Sequence, residues 1–243
     1  MATLVDLRND TLLLLNEVGT IANSPVGALP DGSGGTDVVT TTVTIDQYIN
    51  EAAAEMARSC VYIPTTLSTA AFTGSALPIT NSIWFPMSVT VGTSSLQHTS
   101  DLRLRAWQPN FETFSGTFTL PNGGTTTSPT YWYRRDPLVV GIFPAVATSS
   151  TVVVYGAGLP ATITTGVNAT FAPDDVLRNT LPVYAAYKLA MKNLDDPSLA
   201  ARIQVWQQWW FDSTQRLWNQ LDSSLKLEGS PYASPPVAPP AVK

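Results

Sequence analysis

From Thr3 to Val18 the apolar residues Leu4, Leu7, Leu12, Leu15 and Val18 recur three to five positions apart with no glycine or proline between them, the spacing of one helical face. Gly19 ends that pattern. Between Asn23 and Asp37, Gly, Pro, Ser and Asp dominate, and Pro30-Asp31-Gly32 and Gly34-Gly35 are turn chemistry, so a loop that orders only against a partner is expected. A second helix opens at Thr44, with Gln47 three residues on as a capping box; Ile45, Tyr48, Ile49, Ala52, Met56 and Cys60 share one side and Glu51, Glu55 and Arg58 the other. After Pro64 the chain turns Thr-rich and β-branched. Strands are expected at Ile83–Val91, Leu102–Trp107, Thr113–Leu120, Thr130–Arg135, Leu138–Phe143 and Thr151–Tyr155, short and separated by turns as in a sandwich or small barrel. The alternation Tyr131-Trp132-Tyr133-Arg134-Arg135 predicts one wet face.

Helical periodicity returns after Pro173. Asp174 and Asp175 suit a helix start, Leu177, Leu181, Tyr184, Leu189 and Met191 are apolar, and Pro182 is expected to delay the regular helix to about its own position. Asn193 to Pro197 reads as a tight turn with Asp196 as N-cap and Pro197 first in the next helix, which runs to about Leu225. Its stripe is Leu199, Ile203, Trp206, Trp210, Leu217 and Leu221; Trp209 and Trp218 lie off it and are interface candidates. Each helix has one apolar stripe and none is stable alone. The predicted class is therefore α+β: a four-helix bundle-like module with an inserted antiparallel β-sandwich or barrel-like domain. The expected divisions are 1–62 for a helical pair with its Gly-rich loop, 63–170 for the insert, 171–228 for the second helical pair, and 229–243 for an extended Pro-rich arm. The arm carries five prolines in its last fourteen residues. Polyproline II is its natural form, and Pro231, Tyr232, Pro235, Pro236, Val237, Pro239, Pro240 and Val242 make it a candidate docking segment.

Composition narrows the function. Charged residues are 13% of the 243, against roughly 25% in ordinary soluble domains, and the net charge is −5, so no basic field gathers phosphates. The single Cys60 excludes an intrachain disulfide and reads as a reduced core thiol. The single His98 sits in a polar turn and removes the His-pair metal patterns, so neither cofactor, metal nor enzymatic activity is expected. Asp174-Asp175 and Asp195-Asp196 stand at helix starts, where capping explains them without calcium. Tyr155-Gly-Ala-Gly-Leu lacks the third glycine and the lysine of a phosphate cradle and reads as a turn. No signal peptide or membrane-length apolar run is present, so assembly in the cytoplasm and no membrane partner are expected.

The order of elements resembles the head-to-tail adaptor proteins of tailed bacteriophages: two helices, a β-rich insert, two helices joined through Asp-Asp-Pro, and an extended tail. Asp6-Leu-Arg-Asn-Asp-Thr-Leu-Leu-Leu-Leu-Asn-Glu resembles their first helix and Ile45-Asp-Gln-Tyr-Ile-Asn-Glu-Ala-Ala-Ala-Glu-Met-Ala-Arg their second. Gly141-Ile-Phe-Pro144 with Val152-Val-Val-Tyr155, then Pro182-Val-Tyr-Ala-Ala-Tyr-Lys-Leu-Ala-Met-Lys, resembles their closing strands and third helix; the insert is longer and more Thr-rich than a minimal adaptor needs. The resemblance implies a virion protein of the neck, in a ring of twelve copies like the portal, contacting portal, neighbouring copies and tail or nozzle proteins, with DNA only passing through. The arm would then meet the portal or a neighbouring subunit. A β-rich carbohydrate-binding or tail-fibre-type attachment module is the alternative, resting on exposure of Tyr131, Trp132 and Tyr133.

Overall fold

The structure, a computed structural model, describes residues 2–15, 28–30, 36–39, 42–80, 82–114, 116–191, 197–226 and 230–237. It is mixed α+β and divides into two compact units, Met1–Tyr62 with Pro160–Lys243, and Ile63–Leu159.

In the first unit, helix α1 (Leu4–Leu15) begins at a reciprocal cap. Asp6 N donates to Thr3 Oγ1 (3.1 Å), while Thr3 N and Oγ1 donate to Asp6 Oδ2 (3.3 and 2.7 Å). The hydrogen bond from the Thr3 hydroxyl holds the Asp6 carboxyl below its usual range, keeping a negative charge at the positive end of the helix. Leu4, Leu7, Arg8, Thr11, Leu12 and Leu15 form the buried face. Arg8 is tolerated there because its guanidinium forks onto Asp46 of α2 (Thr42–Ser59), Nε to Oδ1 at 2.6 Å and Nη2 to Oδ2 at 2.5 Å. Helix α2 starts two residues before the expected Thr44, so that residue lies in the first turn rather than at the cap.

Helix α4 (Asp174–Ala190) is the centre of this unit, packed by α1, α2 and α5 (Pro197–Gln220). Leu177, Leu181, Val183, Ala185, Ala186 and Leu189 bury nearly all its sides, as befits an interior helix. The delay expected at Pro182 does not occur. Leu177 N already bonds Pro173 O (3.0 Å), Asp174 and Asp175 occupy the first turn, and burial of Leu177 and Leu181 outweighs the one backbone donor that proline removes. Pro197 heads α5, as expected; the turn residues Asn193 to Asp196 lie outside the described residues. The helix stops at Gln220, short of Leu225, and a 3-10 turn follows over Ser223–Lys226. Of the Asn23–Asp37 stretch, residues 23–27 and 31–35 lie outside the described residues, and the remainder belongs to an antiparallel ribbon of β1 (Ala28–Pro30) and β2 (Thr36–Val39), Ala28 facing Val39 and Leu29 facing Val38. The valines after Asp37 supply the β-branched strand that the glycine content obscured.

The second unit comprises β3 (Pro64–Pro78), β4 (Ile83–Val91), β5 (Ser94–Ser95), β6 (Gln97–His98), α3 (Asp101–Trp107), β7 (Phe118–Thr119), β8 (Thr125–Thr126), β9 (Tyr131–Asp136) and β10 (Val139–Gly158). The 20-residue β10 is its spine. It pairs antiparallel with β3 along one edge, and along the other with β9 at its start and β4 at its end. Leu96 N bonds Val89 O and Gln97 N bonds Thr130 O (both 2.9 Å), carrying the sheet from β4 across to β9, where β6 pairs parallel. The result is a nearly closed, barrel-like sheet filled by Leu77, Ile83, Val89, Trp132, Ile142 and Val154. The start and end of the unit lie side by side: Pro64 faces Ala157, and Gly158 N donates to Ile63 O (2.8 Å).

Several strand expectations change. Leu138–Phe143 and Thr151–Tyr155 are two ends of the one strand β10, and the Thr-rich β3 was not anticipated. Leu102–Trp107 is helix α3, capped by Ser100 Oγ accepting from Arg103 N (3.3 Å), with Leu104 buried and Leu102 74% exposed. Among its described residues, Thr113–Leu120 contains only the two-residue β7, preceded by a 3-10 turn at Phe111–Thr113. The wet face predicted at Tyr131–Arg135 is dry over its first three residues. Trp132 enters the barrel core, while Tyr131 and Tyr133 join Leu104, Phe111, Phe118 and Phe143 in a second aromatic cluster on the outside. Gly141 faces Tyr133 across the β9–β10 pair, and a Cβ there would clash with Cζ of the tyrosine ring. Tyr155-Gly-Ala-Gly is strand, not turn: Gly156 and Gly158 sit beside register shifts, where a Cβ would press on the backbone oxygens of Phe85 and Ser82.

Candidate interaction surface

Among the described residues no group of three His, Cys, Asp or Glu side chains could hold a metal ion, and no helix is long and apolar enough to cross a membrane. Cys60 is buried, and that burial pushes its thiol up to about 12. His98 lies against Trp132 with ring centroids 4.5 Å apart, and partial burial lowers its pKa. The acids of the second unit have structural partners: Glu112 pairs with Arg135 (3.0 Å) and Arg105 (3.6 Å), Asp101 with Arg105 (3.6 Å), and Asp136 Oδ1 accepts from Leu138 N (2.8 Å). Burial of Tyr131, Trp132 and Tyr133 removes the aromatic platform on which a carbohydrate-binding reading rests.

The chemistry of the surface therefore lies in its apolar side chains, and the helical unit carries several. Helix α5 turns Ile203 and Trp206 into the core, while Val205 (62% exposed) and Trp209 (42%), one turn apart, face water. On α1, Leu13 is 69% exposed. Leu13, Leu14, Val183 and Trp209 line a groove of about 480 Å³ between α1, α4 and α5, with Asp10, Asp175, Arg178 and Asn179 as polar lining; Arg178 Nε meets Asp10 Oδ2 at 2.9 Å.

The arm has two parts. Tyr232 is fully buried: its hydroxyl donates towards Ala57 O (2.7 Å) and Val61 O (3.2 Å) at the end of α2, and its ring meets Tyr62 edge-on. Its carbonyl accepts from Trp218 Nε1 (3.2 Å), and Lys226 Nζ lies 4.3 Å from the Trp218 ring centroid. Tyr232 and Trp218, offered by the sequence as partner contacts, thus fasten the arm to its own unit. Pro231 and Pro236 are half-buried, Pro235 is exposed and Val237 is 92% exposed. Pro239, Pro240 and Val242 lie outside the described residues. Sequence reasoning missed the anchor, whose one signal is an aromatic residue in a tail of small and proline residues.

Beside Pro236 and Val237 a second groove of about 430 Å³ contains Tyr184, Lys188 and Trp210. Tyr184 Oη donates to Glu51 Oε1 (2.6 Å), and Lys188 Nζ stands 3.0 Å from the same oxygen. Burial alone would raise the Glu51 pKa, but the hydrogen bonds from Tyr184 and Lys188 prevail and lower it below 4.5. A depressed carboxyl contributes stability above its unfolded value that is lost as pH falls through its folded one. Glu51→Gln is therefore expected to flatten the decline in melting temperature from about pH 5 downwards, as thermal unfolding across pH would show.

Comparison with curated proteins gave no match. The model of the SU10 adaptor protein family matches residues 3–235, both helical segments and the whole β unit included, and the chain accordingly belongs to this family of phage head-tail adaptors.

Proposed function

We propose that the chain assembles into a ring at the neck of the virion, joining the capsid portal to the tail and lining the passage for DNA. The observation that carries this reading is family membership over nearly the whole chain. Portal and tail or nozzle proteins would be the axial neighbours and copies of the same chain, twelve by analogy with the portal, the lateral ones. The charge fits a conduit: with 13 basic and 18 acidic side chains, the chain has no excess of cations to grip a passing polyanion. Helices α1, α2, α4 and α5 would act as one bundle-like module, with exposed Trp209 at a contact and the arm beyond its Tyr232 anchor, Pro235 to Val242, against a portal or neighbouring subunit. Assembly would take place in the host cytoplasm. Electron microscopy of particles carrying a tag on this chain is the test. Tagged density as a closed ring between portal and tail is expected; tag density confined to fibres or a baseplate would overturn the reading.

A further inference from the structure

The arm needs a receptor, and the Trp209 groove has the chemistry of one. We propose that this groove receives the Pro-rich segment Ser234–Lys243 of a second copy of the chain, an inference that rests on the ring reading above. The argument begins with what the groove offers. Trp209 presents a flat indole beside the aliphatic Leu13, Leu14 and Val183, with Arg178 and Asn179 as donors at the rim. Polyproline II segments dock on aromatic-lined grooves of this kind: the ring surfaces stack on the indole, and the backbone carbonyls, unused within the helix, accept hydrogen bonds from the rim. Large apolar side chains turned to water together mark an interaction site more often than chance exposure.

The segment itself supplies the complement. Ser-Pro-Pro-Val-Ala-Pro-Pro-Ala-Val-Lys is apolar, proline-spaced and carries one charged side chain, Lys243, while the groove has two acids, Asp10 and Asp175, against the one base Arg178. Of its described part, Ser234 and Pro235 are exposed and Val237 is 92% exposed, while Pro236 is half-buried beside the second groove. Reach and direction favour a neighbour. The arm is fixed at Tyr232 on the end of α2, whereas the groove is made by α1, α4 and α5. If extended in polyproline II form, the eleven residues beyond Tyr232 would span about 34 Å, a reach suited to a neighbouring copy. In a closed ring each groove would take one arm and each arm one groove, a head-to-tail contact that multiplies weak single affinities.

The test uses the full chain. Copies with a photoreactive benzoylphenylalanine in place of Ala241 are mixed before assembly with unmodified copies labelled with nitrogen-15, and cross-linked peptides are read by mass spectrometry. Mixed-isotope links from position 241 to peptides containing Leu13 or Trp209 are expected. Trp209→Ala and Leu13→Asp, both at exposed positions, should each reduce those links about tenfold. Links confined to a single copy, links to another surface, or links indifferent to both substitutions overturn the proposal. Tagged rings seen by microscopy together with any of those outcomes leave the ring reading standing and sink only the groove; the expected links without rings retain the groove and sink the ring.

Discussion

Tyr232→Ala is expected to lower stability by about 3–5 kcal/mol, the cost of emptying a fully buried aromatic site. For a chain of this length that is a fall of about 6–20 °C in melting temperature. Three interactions are lost together: the ring against Tyr62, the hydroxyl that serves the Ala57 and Val61 carbonyls, and the fit that places the Tyr232 carbonyl on Trp218. Tyr232→Phe isolates the hydroxyl and should cost about 1–2 kcal/mol, because the carbonyls of Ala57, in a buried contact, and Val61, in a part-buried one, lose a donor while the packing remains. Ending the chain after Ala233 should lower the melting temperature only slightly, since Ser234, Pro235 and Val237 are exposed and Pro236 is half-buried. Ending it before Pro231 should reproduce the alanine variant. Thermal unfolding followed by circular dichroism distinguishes these cases, and an alanine variant as stable as the parent would show that the anchor carries no weight.

Tyr133→Ala should cost about 3–5 kcal/mol and Gly141→Ala about 1–3 kcal/mol, with the double variant well short of their sum. The two positions are one device. Gly141 near the start of β10 leaves a gap on the sheet surface, and Tyr133 on the facing strand lays its ring across it, edge-on to Phe111 with centroids 5.2 Å apart. A methyl group at 141 displaces that ring and loosens the aromatic cluster; once the ring is gone, the same methyl has room and a better strand propensity than glycine. Urea unfolding of the four variants gives the coupling. Strict additivity would mean that the ring and the glycine are independent.

The parts of this fold legible in the sequence are those where burial is periodic over many residues. Leu4 to Leu15 and Ile45 to Met56 read correctly because one face is apolar at helical spacing, and Ile83–Val91 because its β-branched and aromatic residues are enclosed on the barrel. Helix α3 was misread because its seven residues bury Leu104 alone, too little for any period; the usable signal was Ser100-Asp101 as a cap. Nine of the fifteen residues of strand β3 are Thr, Ser or Ala, and it is a strand because β10 offers it an edge, a tertiary fact with little local trace. The interaction surface divides the same way. Trp209 stands off the apolar stripe of its helix and is exposed as its position on the wheel requires. Trp218 stands off the stripe too, yet is covered because the chain returns fourteen residues later with Tyr232. The adaptor family was legible in the order of elements, which survives where single strands are mistaken.

The hydrogen bond between Gly158 and Ile63 bears on how the helical unit comes together. Helices α1 and α2 cannot complete their core until α4 arrives, and the whole of Ile63–Leu159 intervenes. As an unstructured loop, that segment would charge the meeting of the two helical halves an entropy growing by about 0.6 kcal/mol for each doubling of its length. Once the β unit has folded, its two ends are a single hydrogen bond apart, and the loop is in effect a few residues long, a saving of about 3 kcal/mol. Closure of the β3–β10 ribbon thus acts as an intramolecular chaperone for the helices: during synthesis the β unit can fold while α4 and α5 are still unmade, and it then delivers them beside the waiting N-terminal pair. Substitutions such as those at Gly156 and Gly158, remote in sequence from every helix, should accordingly slow the folding of the helical unit as well as their own.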